Sequence, residues 1–314
     1  MKSHAMVMGD PRFFRIKGGH NPYTRNRWGI RKRVDRTRAI RQWQTLKGTL
    51  EALGAKVFVL PAVKDLPGLV FPANAGFLYP KYELRDLSKR TFYLSNLTSH
   101  RSREQDIYQS FFSSCGLATA RLPYAFEGEA DFFPCGEFYI FTYGTIRKTG
   151  FRPRWGWPPY SFQYSHRSDE RNEEALKRIV GDRQILKVRL TDVRYYHGDT
   201  CFFAFGPNRE YLFAYLDAID QESRARLKHN LGSRLISLSH MDAENFVANS
   251  VQVDTENGPH LVLPAGVSDE VKTKVSSLGL PFSTVDVSEF FLKGGGSIKC
   301  LICDLGPLVQ GHDT

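Results

Sequence analysis

Residues 289–304 read EFFLKGGGSIKCLICD, placing a lysine, three glycines and two cysteines within one short stretch. Three chemistries are conceivable there. A phosphate-binding loop needs G-x-x-x-x-G-K-[ST], but here Lys293 precedes the glycines and neither Ser nor Thr follows Lys299. A zinc site needs a second ligand pair at comparable spacing, and Cys300 and Cys303 have none. CLICDL reads as a strand, on which residues three apart face opposite sides, so a shared metal or a redox disulfide is disfavoured. One thiol, Cys300, then remains behind a glycine-rich approach, where Gly295 would let a substrate come close to the backbone. A buried, inert cysteine is the alternative.

A thiol nucleophile needs an acid/base partner. Of nine histidines, His197 in YYHGDTCFF stands out: it sits between apolar runs, with Asp199 two residues on. In extended chain those two side chains share a face. YAFEGEADFFPCG sets Glu127 and Asp131 in an apolar stretch, where a carboxylate is costly unless a cation pairs with it. A guanidinium, with its planar fork of donors, is one such cation; a local arginine is another. Asn74 in GLVFPANAGF lies among small residues and either forms a turn or presents a carboxamide.

Elements must bring these distant residues together. A helical segment ending at a glycine and followed by an apolar strand recurs at Gly54, Gly116, Gly181, Gly232 and Gly279. Each glycine stands where a helix C-terminus calls for the left-handed region. Five such joints at intervals of roughly 50 to 65 residues indicate an internal repeat. Further strands are expected at RTFYLSN, EFYIFTYG, TCFFAFG, NFVANSVQV and HLVLPAG. Each repeat is then a few strands and one helix, and five around an axis would leave a central channel.

Composition bounds the rest. The chain has 314 residues, 41% hydrophobic and 24% charged, as expected of a globular protein. The expected organisation is one domain over residues 1–314, with 1–12 as a flexible tail. No run approaches the ~18 apolar residues of a membrane helix, and the opening MKSHAMVMGD is no secretory signal. A cytoplasmic protein is the expectation. Five scattered cysteines do not form a disulfide framework. Net charge is +10, concentrated in the run from Arg25 to Arg41, with Asp35 its one acid. That run reads as a solvated face; nucleic acid is an unfavoured partner, because no zinc-finger, helix-turn-helix or RNP pattern accompanies it. The aromatic loop at 150–168 reads as an ordered lid or interface.

The ordered set RIKGGHNPY, FPANAGF, FEGEAD, TYGTIRKTG, YYHGDTCF, FVANSVQV and DVSEFFLKGGGSIKC resembles the guanidine-modifying enzymes of the pentein superfamily. The resemblance spans about Phe14 to Leu305, nearly the whole chain. It implies a five-bladed pseudo-fivefold α/β propeller with a central active-site channel. Cys300 is then the nucleophile, His197 the general acid/base, and Glu127 and Asp199 the carboxylates holding the guanidinium. Asn74 and Asn21 match the arginine dihydrolase branch, whose products are ornithine, ammonia and carbon dioxide. Arg147 matches the substrate-carboxylate clamp, although TIRKTG lacks the usual arginine–threonine pairing. Asp131 and Gly295 complete the expected substrate-binding set. The substrate class implied is a small guanidino compound, with no cofactor or metal. A one-step deiminase, a dimethylarginine dimethylaminohydrolase, an amidinotransferase and an idle binder are the alternatives, and the oligomeric state is open.

Overall fold

The computed structural model describes residues 2–82 and 89–309. The first unit is β1 (Lys2–Gly9), α1 (Arg36–Ala52) and β2 (Lys56–Leu60). The second is β3 (Gly76–Tyr79), β4 (Thr91–Leu94), α2 (Glu104–Ser114) and β5 (Ala118–Arg121). The third is β6 (Phe132–Cys135), β7 (Phe138–Tyr143), the hairpin β8 (Gly150–Pro153) and β9 (Tyr160–Gln163), α3 (Glu173–Val180) and β10 (Gln184–Arg189). The fourth is β11 (Phe202–Phe205), β12 (Tyr211–Ala214), α4 (Gln221–Leu231) and β13 (Leu235–Ser237). The fifth is α5 (His240–Glu244), β14 (Val251–Thr255), β15 (Gly258–Pro264), α6 (Asp269–Ser277) and β16 (Phe282–Val285). The short helix α7 (Ser288–Gly294) leads to the last strand, β17 (Ile302–Val309).

Five three-stranded sheets result, ordered β17-β1-β2, β3-β4-β5, β6-β7-β10, β11-β12-β13 and β14-β15-β16. In each, the first pair is antiparallel and the second parallel, the helix making the crossover. The five joint glycines all end helices with positive φ, between 54° and 86°, where a side chain would be strained. The helices show the spacing that buries one stripe: α1 turns Ala39, Trp43, Leu46 and Leu50 inward. Asp35, the acid of the basic run, caps α1 by accepting from the Arg38 amide. Arg36, Arg38 and Arg41 lie on its exposed side, as a solvated face requires.

Residues 2–9 correct the expectation of a flexible tail at 1–12. They form the middle strand of the first sheet, paired with β17 on one edge and β2 on the other. Ala5, Met6, Val7 and Met8 are wholly buried. A strand covered on both faces shows an apolar run rather than alternation, so AMVM carries little strand signal. Met1 lies outside the described residues. NFVANSVQV is also corrected: the strand begins only at Val251. Upstream, Phe246 adopts a left-handed φ of 56° and the chain turns through Asn249. The other four expected strands coincide with β4, β7, β11 and β15.

Candidate active site

The site is built from the segments that enter the first strand of each sheet. Asn74 ends a 3-10 turn before β3, and Glu127 precedes a turn before β6. His197 and Asp199 belong to the turn before β11. Asn249 lies just before β14, and Cys300 in the turn Lys299–Leu301 before β17. Equivalent positions of five repeats thus converge, although about 50 residues or more separate most of them in sequence.

All six side chains are at most 4% exposed. His197 Nε2 meets Glu127 Oε2 at 2.8 Å, and Glu127 Oε1 accepts from Thr98 Oγ1 at 3.1 Å. Burial alone would raise the Glu127 carboxyl, but the hydrogen bond and charge of His197, helped by Arg167 and Arg101, hold it well below its usual range. Burial works against the His197 cation, yet Asp131, Glu127 and Asp199 together raise its pKa. The histidine is thereby disposed to carry a proton, and its Nδ1 has no protein partner among the described residues.

Cys300 Sγ lies 3.3 Å from Asp199 Oδ2 and receives a hydrogen bond from Asn249 Nδ2 at 3.2 Å. Asn249 Nδ2 also donates to the Asp199 carbonyl, while its Oδ1 accepts from the amides of Ser297 and Cys300. One carboxamide therefore fixes the thiol, its turn and the neighbouring acid. Burial and the Asp199 carboxylate push the Cys300 thiol well above its usual range, against the lowering effect of Asn249. Burial also raises Asp199, to about 6, and its Oδ1 has no partner. A cation placed between Asp199 and the thiol would reverse both shifts.

Cys300, His197, Glu127 and Asn74 face an open pocket also lined by Asn21, Arg167 and Tyr196, among others; Asp199 and Asn249 are not on its wall, and Asp199 lines a second, smaller cavity. Asn74 Oδ1 accepts from Arg101 Nη1 at 2.7 Å. Because a guanidinium only donates, this contact fixes the amide's orientation. Its Nδ2 is buried and has no partner among the described residues. Asn21 donates from Nδ2 to the Gly294 carbonyl at 2.8 Å and to Tyr196 Oη at 3.3 Å.

Several expected roles are relocated. Arg147 is exposed and outside the pocket wall. Arg167, at the end of the aromatic segment, is buried, lines the pocket and bonds the His20 carbonyl. Asp131 does not line the pocket either. Its oxygens accept from Thr142, Ser168 and the Gly198 amide, so it braces the His197 turn. Gly295 is a packing position: at φ 80°, an added Cβ would lie 2.8 Å from Asn21 Oδ1. Its carbonyl accepts from Tyr196 Oη. Gly296 likewise leaves no room beside the Cys300 Cβ. Glu129, two residues from Glu127, is paired with Lys81 and Lys299 and lines a separate, smaller cavity. Cys300 sits in a turn rather than on a strand; Cys303, on β17, packs into an apolar core cluster.

Among the polar residues of this site that sequence reasoning did not single out are Asn249 and Arg167. Asn249 had a signal: VAN in the fifth repeat stands where PAN stands in the second. Arg167 had a weaker one, an arginine followed by a small hydroxyl residue in HRSD.

Comparison with known proteins agrees with this geometry. The family model for eukaryotic N,N-dimethylarginine dimethylhydrolase matches residues 161–306. The bifunctional arginine dihydrolase/ornithine cyclodeaminase of Nostoc sp. is 30% identical over 284 residues, covering 89% of this chain and 35% of that protein. The chain thus spans about a third of that bifunctional relative. The dimethylarginine dimethylaminohydrolase of Mycobacterium tuberculosis is 25% identical, with 98% of this chain and 87% of that one covered. Among solved structures, the substrate-bound N-terminal domain of a cyanobacterial arginine dihydrolase superposes with a TM-score of 0.79 at 25% identity. It covers 97% of this chain and 98% of that domain.

Proposed function

We propose that this chain, which belongs to the guanidine-modifying enzymes of the pentein superfamily and hydrolyses guanidino C–N bonds, is an arginine dihydrolase acting in two hydrolytic rounds. The observation that carries the reading is the convergence of Cys300, His197 and Glu127 on one pocket, with Asp199 bonded to the thiol beside it. Glu127 and Asp199 hold the guanidinium, whose charge offsets the penalty on both buried carboxylates. The same charge favours the Cys300 thiolate, which attacks the central guanidinium carbon. His197 gives its proton to the departing nitrogen, releasing ammonia and leaving a thiouronium on Cys300. His197 then takes a proton from water as the hydroxide adds to that carbon. Collapse expels the thiolate and leaves a ureido product.

Asn74 supports the second round. With Oδ1 held by Arg101, it offers the pocket a donor, which a guanidinium cannot use but a ureido oxygen can. A ureido group so retained undergoes a second thiolate attack and loses a second ammonia. Hydrolysis of the resulting thiocarbamate gives a carbamate, which breaks down to ornithine and carbon dioxide. On this proposal Arg167, buried in the pocket wall, meets the substrate carboxylate. In this reading the five sheets are blades of one closed propeller in a single domain, working in the cytoplasm.

The test is arginine turnover by the purified protein with all products quantified. Ammonia and ornithine in a ratio of about two to one are expected from the two rounds. Citrulline as the sole end product would replace the reading with a one-step deiminase.

A further inference from the structure

The Arg25–Arg41 run and the aromatic hairpin meet on one surface. Arg25 stacks on Phe151 and Phe162, its guanidinium carbon 5.2 and 4.4 Å from their ring centres. Tyr160 Oη donates to the Trp28 carbonyl at 3.1 Å, and His20 Nδ1 lies 3.1 Å from Thr149 Oγ1. Beside this joint runs an open groove lined by Arg15, Arg31, Lys32, Arg33 and Arg36, with Asp35 as the one acid on its wall.

Three features distinguish the surface from an ordinary solvated face. Neither stretch, 24–34 or 145–164, contains an Asp or Glu. Among the described residues, Arg27, Arg31, Arg33, Arg152 and Arg154 form no ion pair. Large rings also stand in solvent: Trp155 is fully exposed and Trp157 is 79% exposed, while Phe151 and Trp28 are partly covered by Arg25 and Arg27. A cationic groove that follows a phosphate backbone, flanked by free rings on which bases stack, is how single strands are bound without sequence preference.

We propose that this surface binds single-stranded nucleic acid. An anionic membrane fits less well, because the cations line a concavity rather than a plane. Symmetric pairing with a second copy fits less well still, since a two-fold axis would set the cations against themselves.

The test is fluorescence anisotropy of a labelled oligouridylate of about 15 nucleotides, within the site sizes common for such surfaces, at rising salt. With about five phosphates neutralised at ~0.7 each, log affinity should fall with log salt at a slope near −3.5. Trp155→Ala/Trp157→Ala should weaken binding about five-fold or more while leaving the slope unchanged. Arg31→Gln/Arg33→Gln should reduce the slope by about 1.4. Both variants should keep parent turnover of arginine, and Cys300→Ser should keep parent RNA binding, so this proposal and the enzymatic reading fail separately. No anisotropy change at low salt overturns the proposal. So does binding that both double variants leave intact, binding of anionic vesicles that the oligonucleotide does not displace, or a dimer in which the tryptophans are protected from quencher.

Discussion

Replacing Asn249 by Asp tests how the thiol is governed. Asn249 Nδ2 donates to Cys300 Sγ at 3.2 Å, while Oδ1 holds the amides of Ser297 and Cys300. Asp keeps an acceptor for both amides and exchanges the donor for a carboxylate oxygen, so the turn should keep its shape. Two unit charges 3.2 Å apart repel by about 5 kcal/mol at an effective dielectric constant of 20. That corresponds to roughly four pK units against the thiolate, at 1.36 kcal/mol per unit. Half that value still predicts a loss of about a hundred-fold in kcat/KM. The loss should deepen as pH rises, because the new carboxyl donates while protonated and repels once ionised. Asn249→Ala removes a donor to a charged sulfur, worth about 1.5–3 kcal/mol, without adding charge. It should lose about ten-fold or somewhat more in activity, but melt lower than the Asp variant because two buried amides lose their acceptor. The assays are iodoacetamide alkylation of Cys300 and ammonia release from arginine between pH 6 and 9. Near-UV circular dichroism checks the fold, and Cys300→Ala gives the background. Alkylation and turnover within three-fold of the parent in a folded Asn249→Asp variant would refute the argument.

Asp199 yields a stability prediction of opposite character. Its folded pKa is raised from 3.8 to about 6, so the native state binds the proton more tightly and loses stability as pH climbs through that interval. Asp199→Asn should therefore stabilise the ligand-free protein by about 3 kcal/mol above pH 6 and by little near pH 4, while abolishing turnover; equal melting shifts at both pH values would dismiss the account. Arg167→Gln should raise KM for arginine at least ten-fold and leave turnover of agmatine, which lacks the carboxylate, near its parent value; Arg147→Gln should change neither. Asn74→Asp should shift the products from ornithine towards citrulline, and an unchanged ratio would remove this residue from control of the second round. Cys303→Ala should retain most activity and cost about 1 kcal/mol of packing; a dead variant would reverse the assignment of the two cysteines.

The sequence was most readable where a single residue type meets a backbone requirement. Five glycines mark five left-handed helix ends, and each was visible without a structure. His197, Glu127 and Asp199 stood out as polar residues in apolar surroundings, which need partners, and the structure joins Glu127 to His197 and Asp199 to Cys300; the roles themselves came from the family resemblance. What remained hidden depends on reach across the molecule. Asn249 acts through four hydrogen bonds to segments 48 to 51 residues away. Arg147 and Arg167 stand at the two ends of one excursion, and only the path of the hairpin between them decides which enters the pocket. Asp131 reads as a substrate carboxylate until Thr142, Ser168 and Gly198 are seen to occupy it. The first strand was missed because burial on both faces erases alternation.

That strand carries a consequence for biogenesis. One edge of β1 is paired only by β17, and His4 is joined to Asp304 across a separation of 300 residues. At synthesis rates of about 5–20 residues per second, β1 waits roughly 15 to 60 s for its neighbour. For nearly all of that interval the chain lacks Cys300, the proposed nucleophile, and on that proposal cannot react with a guanidino compound. The proposed nucleophile arrives with the segment that closes the first sheet, so on that proposal assembly of the fold and onset of reactivity are one event. A chain interrupted before β17 would leave an open β1 edge, a substrate for quality control rather than a partially active enzyme.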